Sequence, residues 1–259
     1  MKKALVVLEK EFLELRLQRG LLFATLFLPP TMTAFAVLAF FAAGRFAANL
    51  NTGGVPLPPE FAGLSPQELG QAIVGRQFSV LFLLLPIFIP SVLASYAIVG
   101  EKRERTLEPV LATPIRTWEL LLGKTLAALI PALAITIASA TLFVVGVLSF
   151  AVSDRVRNLI VTPGWILAVL VDTPLLALIG VALIVVLSSR VNDPRTAQQF
   201  SAVLVVPVLA LLFGQLAGVI VLGPALALGI GVILAAVAAG ALWLAARLFQ
   251  REVILTRWR

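Results

Sequence analysis

The sequence predicts an all-α membrane protein with six transmembrane helices, and three observations lead to this fold class. Of the 259 residues, 60% are hydrophobic and the mean hydropathy is +1.05, whereas soluble domains are about 45–50% apolar. Charged residues make up only 13% of the chain and cluster between long apolar runs. No stretch outside those runs is long enough to form the core of an ordinary soluble domain. We therefore expect one transmembrane domain that covers residues 1–259.

Six apolar segments have the length, about 20 residues, that a helix needs to cross a bilayer. They are 22–43, 78–99, 121–150, 164–188, 200–222 and 225–246. Only Gly223 and Pro224 separate the last two segments, which predicts a tight helical hairpin. Small residues repeat every four positions in the sixth segment, a spacing that favours close packing against another helix. These residues are Ala227, Gly231, Ala235 and Ala239.

The basic residues determine the predicted orientation, because cytoplasmic loops of membrane proteins carry an excess of lysine and arginine. With both termini in the cytoplasm, all but four of the 20 basic residues lie on the cytoplasmic side. The four on the outer side are Arg45, Arg76, Arg155 and Arg157. The net charge of +7 then faces anionic lipid head groups. Nucleic-acid binding is not expected, because the basic residues are divided among separate segments next to the membrane.

The first 20 residues predict a separate amphipathic helix. Leu5, Leu8, Phe12 and Leu15 recur at helical spacing, and most charged residues fall on other sides of the helix. Such a helix is expected to lie in the cytoplasmic interface of the membrane. The alternative is a basic segment that only anchors the topology.

The largest predicted outer loop, 44–77, contains the start of a short helix. Ser65 is a candidate N-cap, Pro66 fits the first helical position, and Glu68 stands three residues after the cap. A second and shorter outer loop is expected at 151–163.

A charged segment separates the second and third apolar runs, and we expect its residues 100–120 to form a coupling loop. Thr106 can cap one short helix, and Thr113 followed by Pro114 can start a second helix that leads into the third span. The sequence thus predicts a helix, a break and a helix at the cytoplasmic surface. Acidic and basic side chains are mixed along it, which suits salt bridges to a protein partner. The alternative is a solvated interfacial loop that has no partner.

The sequence of this segment, GEKRERTLEPVLATPIRTWELLLGK at 100–124, resembles the signature of ABC transporter permeases of the type-2 (ABC-2) exporter family. The resemblance lies in the runs GEK at 100–102, TLE at 106–108, LATP at 111–114 and ELL followed by GK at 119–124. The run SSRVNDPRTAQQ at 188–199 is similar to another cytoplasmic loop of the same permeases. Six spans, an N-terminal interfacial helix and both ends inside also agree, so the resemblance covers essentially the whole chain.

This resemblance implies a multi-pass permease subunit of a prokaryotic inner membrane, which forms the substrate path of an exporter as a homo- or heterodimer. In the family, two permease subunits assemble with two nucleotide-binding ATPase subunits, which bind ATP and Mg. The present chain would bind no cofactor and would not be an enzyme itself. Its coupling loop would fit a cleft in the ATPase. The residues that would dock there are Glu101, Lys102, Arg103, Glu104, Arg105, Thr106, Leu107, Glu108, Leu111, Thr113 and Pro114.

Several catalytic functions are excluded or disfavoured by the residue types present. The chain contains no cysteine and no histidine, which excludes thiolate chemistry and histidine-based catalysis or metal binding. The run GKT at 123–125 resembles the end of a phosphate-binding loop, but Trp118 stands where that motif requires glycine. An intramembrane enzyme would need a Ser-Lys or paired-Asp arrangement, and only one aspartate lies within a predicted span.

That aspartate, Asp172, is costly at membrane depth unless it is paired, which favours a functional role. It can bind a cation, carry a proton or pair with a basic group of a substrate. The alternative is that Asp172 lies near the outer end of its helix, compensates for the missing donor of Pro174 and faces water. The candidate substrate path consists of Asp172, Ser91, Ser95, Thr136 and Ser139. The second function considered is an ATPase-independent channel or secondary carrier that uses Asp172, although no inverted repeat is evident.

Overall fold

A computed structural model describes residues 2–47, 59–101, 115–188, 191 and 193–248 of the chain. These residues form helices and connecting segments, and no strand occurs among them. The first helix, Lys2–Leu17, is named α1. Six further helical segments are long and apolar enough to cross a membrane, as the sequence predicted. These are span 1 (Arg19–Phe46), span 2 (Pro66–Gly100), span 3 (Thr117–Phe150), span 4 (Asp154–Ser188), span 5 (Pro194–Leu216) and span 6 (Pro224–Leu248).

Three of the spans contain irregular turns. Span 2 consists of Pro66–Leu81, a 3₁₀ turn at Phe82–Leu84, the helix Leu85–Ser95 and a π-helical turn at Tyr96–Gly100. Span 4 consists of Asp154–Ile160, Pro163–Leu167, a π-helical turn at Ala168–Asp172 and the helix Thr173–Ser188. Span 5 consists of Pro194–Ser201, a 3₁₀ turn at Ala202–Leu204 and the helix Val205–Leu216. A further 3₁₀ turn, Pro59–Phe61, precedes span 2.

A proline follows three of these irregular turns within two or three residues, at Pro86, Pro174 and Pro207. Proline has no N–H to continue an α-helical ladder. The preceding turn already shifts that ladder: the Thr173 N–H bonds to the Ala168 carbonyl, five residues back. Other prolines, such as Pro131, lie inside a continuous helix. Irregular turns therefore accompany some prolines of the spans and not others.

The start of span 2 confirms the predicted capping box. The Ser65 hydroxyl accepts a hydrogen bond from the Glu68 N–H, and the Glu68 carboxylate accepts one from the Ser65 N–H at 2.9 Å. Pro66 occupies the first turn. The predicted short helix is continuous with the second apolar run, so span 2 begins well before residue 78.

Other boundaries also differ from the predicted ones. Span 3 begins at Thr117, before the predicted residue 121, and Arg116 in front of it is extended with ψ of 145°. The predicted helix start at Thr113 and Pro114 lies outside the described residues. Span 5 ends at Leu216, and residues 217–223 join it to span 6 in place of a two-residue turn. Gly218 causes this early end because it adopts a positive φ of 70°, and the Val219 N–H then bonds back to the Gly214 carbonyl.

The bundle has two ends. The α1 end carries α1, the segments 96–101 and 115–124, and the start of span 5. The distal end carries 40–47, 59–71, 150–163 and 217–224. At the distal end, the buried Gln71 side chain donates to the carbonyls of Phe40 and Phe150 and accepts from the Val152 N–H. One amide thereby holds spans 1, 2 and 3 together.

Spans 2 and 4 form the centre of the bundle. In their most apolar stretches 72% and 61% of residues are buried, against 24% in span 1 and 17% in both span 5 and span 6. Span 6 packs on span 4 through Ala227 and Gly231, as predicted, but Ala235 and Ala239 are exposed. The next buried small residues are Ala238 and Ala245. Beyond Gly231, the buried small residues of span 6 are therefore seven positions apart and not four.

Candidate functional site

At the α1 end, one face of α1 packs against span 3. Ala4, Val7 and Glu11 form that face and are each at most 5% exposed. A Cβ atom on Gly123 of span 3 would lie 2.7 Å from the Val7 Cβ, so glycine permits this close approach. Leu5 is 61% exposed. The other members of the predicted apolar stripe, Leu8, Phe12 and Leu15, are half-buried, so the stripe borders the buried face of α1 and does not form its centre.

The centre of this region is the ammonium group of Lys124, which is 1% exposed. Its Nζ donates hydrogen bonds to Glu11 Oε1 at 2.6 Å, to Glu101 Oε2 at 2.7 Å and to the Ala97 carbonyl at 2.7 Å. An ammonium group has three donors, so all three are used. Lys124 thereby joins α1, the end of span 2 and the start of span 3.

A second lysine completes the group. The Lys10 ammonium bonds to Glu101 Oε1 and lies 2.9 Å from Glu14 Oε1. Lys10, Glu11, Glu14, Glu101 and Lys124 are named the Lys124 cluster. Partial burial alone would lower the pKa of Lys10, but the hydrogen bonds to Glu101 and Glu14 outweigh it, so its pKa is raised. Burial raises the pKa of the Glu11 carboxyl, and the charge of Lys124 offsets part of that rise.

The π-helical turn at Tyr96–Gly100 contributes to the cluster as well. A π turn displaces the carbonyls of a helix from their usual partners, and the Ala97 carbonyl accepts from Lys124. The cluster lies immediately before residue 102, where the described part of span 2 ends. The chain end before residue 102 is therefore bonded to both α1 and span 3 through buried ionic contacts.

Beside the cluster is a half-open cavity of about 250 Å³. Its polar lining comes from Glu11, Glu14, Gln18 and Glu101. Oxygens of the three carboxylates lie within 4.8 Å of one another. Lysine ammonium groups bond to each of these carboxylates, so the positive charge that a metal would supply is already provided by the protein.

Of the predicted ATPase-docking residues, only Glu101 lies within the described part of the chain. Glu101 is 6% exposed and bonds to both lysines of the cluster. It is therefore not on the solvated, mixed-charge face where the sequence placed it, since its carboxylate points into the bundle. The remaining docking residues, Lys102 to Pro114, lie outside the described residues, and their role stays a prediction.

The four predicted hydroxyl residues of the substrate path are buried between helices. Ser91 donates to the Ile87 carbonyl, Ser95 to that of Val92, and Thr136 to that of Ala132. The Ser95 hydroxyl also accepts from Gln198 of span 5 at 2.9 Å. Ser139 is 4% exposed. None of the four lines the cavities found among the described residues, and their substrate role stays a prediction.

Asp172 is the fifth predicted path residue. It is the last residue of the π turn in span 4 and is 2% exposed. Its Oδ1 atom has no hydrogen-bond partner among the described residues. A Cβ atom on Gly231 of span 6 would lie 3.0 Å from that oxygen. Asp172 therefore faces span 6 in this structure and not bulk water, contrary to the alternative considered from the sequence.

The sequence did not reveal the Lys124 cluster, although its members lie in conspicuous segments. Lys124 closes the ELLLGK motif, and Glu11 interrupts the row Ala4, Val7, Glu11 and Leu15 at helical spacing. A carboxylate on the inner face of α1 and a lysine about two turns inside span 3 each require a partner of opposite charge. The opposite charges of these two residues were the signal from which their pairing could have been predicted.

Comparison with known proteins bears on most of the chain. A family model described as ABC-2 family transporter protein matches residues 5–228. No curated protein matches the sequence. The match includes most of α1, the first five spans, the Lys124 cluster and Asp172. The chain belongs to the ABC-2 family of transporter proteins.

Proposed function

We propose that this chain is the membrane-spanning permease subunit of an ATP-driven exporter and that it works with a separate ATPase. The observation that carries the proposal is the Lys124 cluster. It connects three elements at the point where span 2 leads into residues 102–114, the segment whose sequence resembles the coupling loop of the family. A loop that only joined two spans would not need a buried ionic junction at its base.

The proposed orientation places the α1 end in the cytoplasm. Lysine and arginine are concentrated at this end, and the positive-inside rule assigns such an end to the cytoplasm. The exposed apolar side of α1, which includes Leu5 and Val6, then lies in the interfacial region of the lipid. In this orientation residues 102–114 are accessible to a soluble ATPase.

The proposed mechanism follows from these connections. ATP and Mg bind to two ATPase subunits, and their closure displaces the coupling loops of two permease subunits. Glu101, at the base of the loop, transfers that displacement to Lys124 of span 3 and to Lys10 of α1. The spans then change from an inward-open to an outward-open arrangement, which moves the substrate outward.

A second function, ATPase-independent carriage, is supported by one observation, the buried and unpartnered Asp172. A carrier of this kind would use the carboxylate to bind a cation or a proton within the membrane. We rank this carrier function second. The model of the ABC-2 transporter family matches most of the chain, and the coupling segment resembles that of ATP-driven permeases.

The proposed function is tested by purifying the chain in mild detergent from its native host and identifying the proteins that accompany it by mass spectrometry. In one variant residues 102–112 are scrambled, which leaves Glu101 and the Lys124 cluster unchanged. A matched control scrambles residues 48–58, a segment of equal length in the predicted outer loop. We expect a soluble ATPase with the wild type and the control, and its loss with residues 102–112 scrambled. Equal recovery with all three chains, or no ATPase while other membrane complexes remain intact, would contradict the proposal.

A further inference from the structure

Within the described part of the chain, the elements that pack on the turn of Asp172 bring no opposite charge to its carboxyl. The π turn that ends at Asp172 packs against Pro163–Leu167 and Thr173–Ser188 of its own span, against the 3₁₀ turn Phe82–Leu84 and against span 6. The only charged residue within these elements is Arg247, which lies at the opposite, α1 end of span 6. No titratable group on the elements packed against it therefore faces the Asp172 carboxyl.

An ionised carboxylate in such a position is strongly destabilised, because it loses its hydration and gains no opposite charge. Protonation removes that cost, since a neutral carboxyl group is far less expensive to bury. The Lys124 cluster shows the other solution within the same protein, where buried carboxylates bond to two lysines. The absence of such a partner at Asp172 favours the neutral acid.

The cover over Asp172 is the backbone of span 6 at Gly231. The missing side chain of Gly231 lets span 6 approach so closely that a Cβ atom there would lie 3.0 Å from Asp172 Oδ1. Span 6 is a peripheral helix, with only 17% of its apolar stretch buried. On the other side, the carboxyl is carried by a π turn, a feature often found at functional positions of helices.

We propose that Asp172 is a proton-binding site whose occupancy is linked to the packing of span 6 on span 4. When the two spans are in contact, the carboxyl holds a proton taken from water. When span 6 moves away at Gly231, water reaches Oδ1 and accepts that proton, which leaves a hydrated carboxylate. By linkage, acid favours the closed contact and alkali favours the open one. This inference does not rest on the proposed ATPase partner.

Infrared spectroscopy of the full chain in lipid nanodiscs at neutral pH tests the protonation. A protonated carboxylic acid has a carbonyl stretching band that a carboxylate lacks. We expect the band in the wild type, its loss in Asp172→Asn and its return at a shifted frequency in Asp172→Glu. The matched control is Asp154→Asn, which removes an exposed carboxylate and should leave the band unchanged. A wild-type band that persists in Asp172→Asn, or no acid band in the wild type, would overturn the proposal.

Two glycines of span 6 test the contact. Gly231→Ala places a methyl group against the carboxyl, so the acid band should shift. Gly229→Ala is the matched control, because a Cβ atom at Gly229 meets nothing within 4 Å. Equal spectra for the two variants would show that Gly231 does not cover Asp172.

Spin labels test the linkage. The chain contains no cysteine, so Leu170→Cys and Val232→Cys supply a labelled pair on spans 4 and 6 at exposed positions. We expect dipolar broadening in acid that diminishes as the pH rises, and broadening at every pH when Asp172→Asn is added. Broadening that does not change with pH in the chain that retains Asp172 would refute the linkage.

Discussion

Lys124 and Asp172 are equally inaccessible, at 1% and 2% exposed, yet their surroundings differ completely. Lys124 bonds to two carboxylates and to a backbone carbonyl. Asp172 has an oxygen without any partner in the described structure. Lys124 bonds to a carbonyl of one π-helical turn, and Asp172 is the last residue of another. One buried ionisable group thus bonds three elements together, whereas the other lacks a partner and is the group that we propose to change its protonation state.

The largest expected effect comes from removing the cation of the paired site. Lys124→Ala leaves Glu11, Glu101 and the Ala97 carbonyl buried without their shared donor. Loss of one partner from a buried ionic group costs about 3–5 kcal/mol. Thermal unfolding in nanodiscs should show this loss. The control Lys10→Met removes a cation whose side chain is 37% exposed, and it should cost no more than about 1 kcal/mol. Equal losses in the two variants would show that the cluster is not centred on Lys124.

The next prediction asks whether charge or packing holds the α1 end together. The triple variant Glu11→Leu, Glu101→Leu and Lys124→Met removes all the buried charges of the cluster at once. Replacing a complete buried ionic group with apolar side chains is often neutral or stabilising. The triple variant should therefore unfold at a higher temperature than Lys124→Ala, while ATP-dependent transport should still be impaired. A triple variant as unstable as Lys124→Ala would contradict this account.

A much smaller effect is expected at the unpaired site. Asp172→Asn removes no bonded partner and closely matches the neutral acid in shape. The free energy of unfolding should change by less than about 0.5 kcal/mol, which calorimetry in nanodiscs can measure. A clear stabilisation would indicate that the wild-type carboxyl is ionised, and a large loss would indicate a bonded partner.

The smallest effect concerns the pH dependence of the α1 end. The folded pKa of Glu11 is raised by burial, so its contribution to stability is fully present below the ordinary value of 4.5 and is lost as the pH rises through the folded pKa. Glu11→Gln cannot titrate. The wild type should therefore lose stability relative to Glu11→Gln over that interval, as judged by melting temperatures at successive pH values. Parallel curves would show that Glu11 has an unshifted pKa.

The sequence predicted the parts of the fold that depend on local patterns. Apolar runs predicted six spans, and the spacing of Ser65, Pro66 and Glu68 predicted a capped helix start, which the structure shows to be the beginning of span 2. The end of span 5 was predicted too late, because apolar composition continues past Gly218, whose positive φ ends the helix.

The sites were less predictable, because they depend on contacts between distant segments. Glu11 and Lys124 are 113 residues apart along the chain, and no local pattern pairs them. Asp172 was identified from its depth in an apolar run alone. The contact between Gly231 and Asp172 was not predicted, because it depends on how span 6 is aligned against span 4.

The most direct test of the proposed coupling role is site-specific cross-linking in native membranes. The natural chain has no cysteine, so Glu104→Cys in the coupling loop and Arg155→Cys at the distal end each provide a single thiol. After treatment with a bifunctional thiol–amine reagent, we expect Glu104→Cys to form an adduct with a soluble ATPase and Arg155→Cys to form none. An ATPase adduct at Arg155→Cys, or none at Glu104→Cys under conditions in which the complex is intact, would contradict the account.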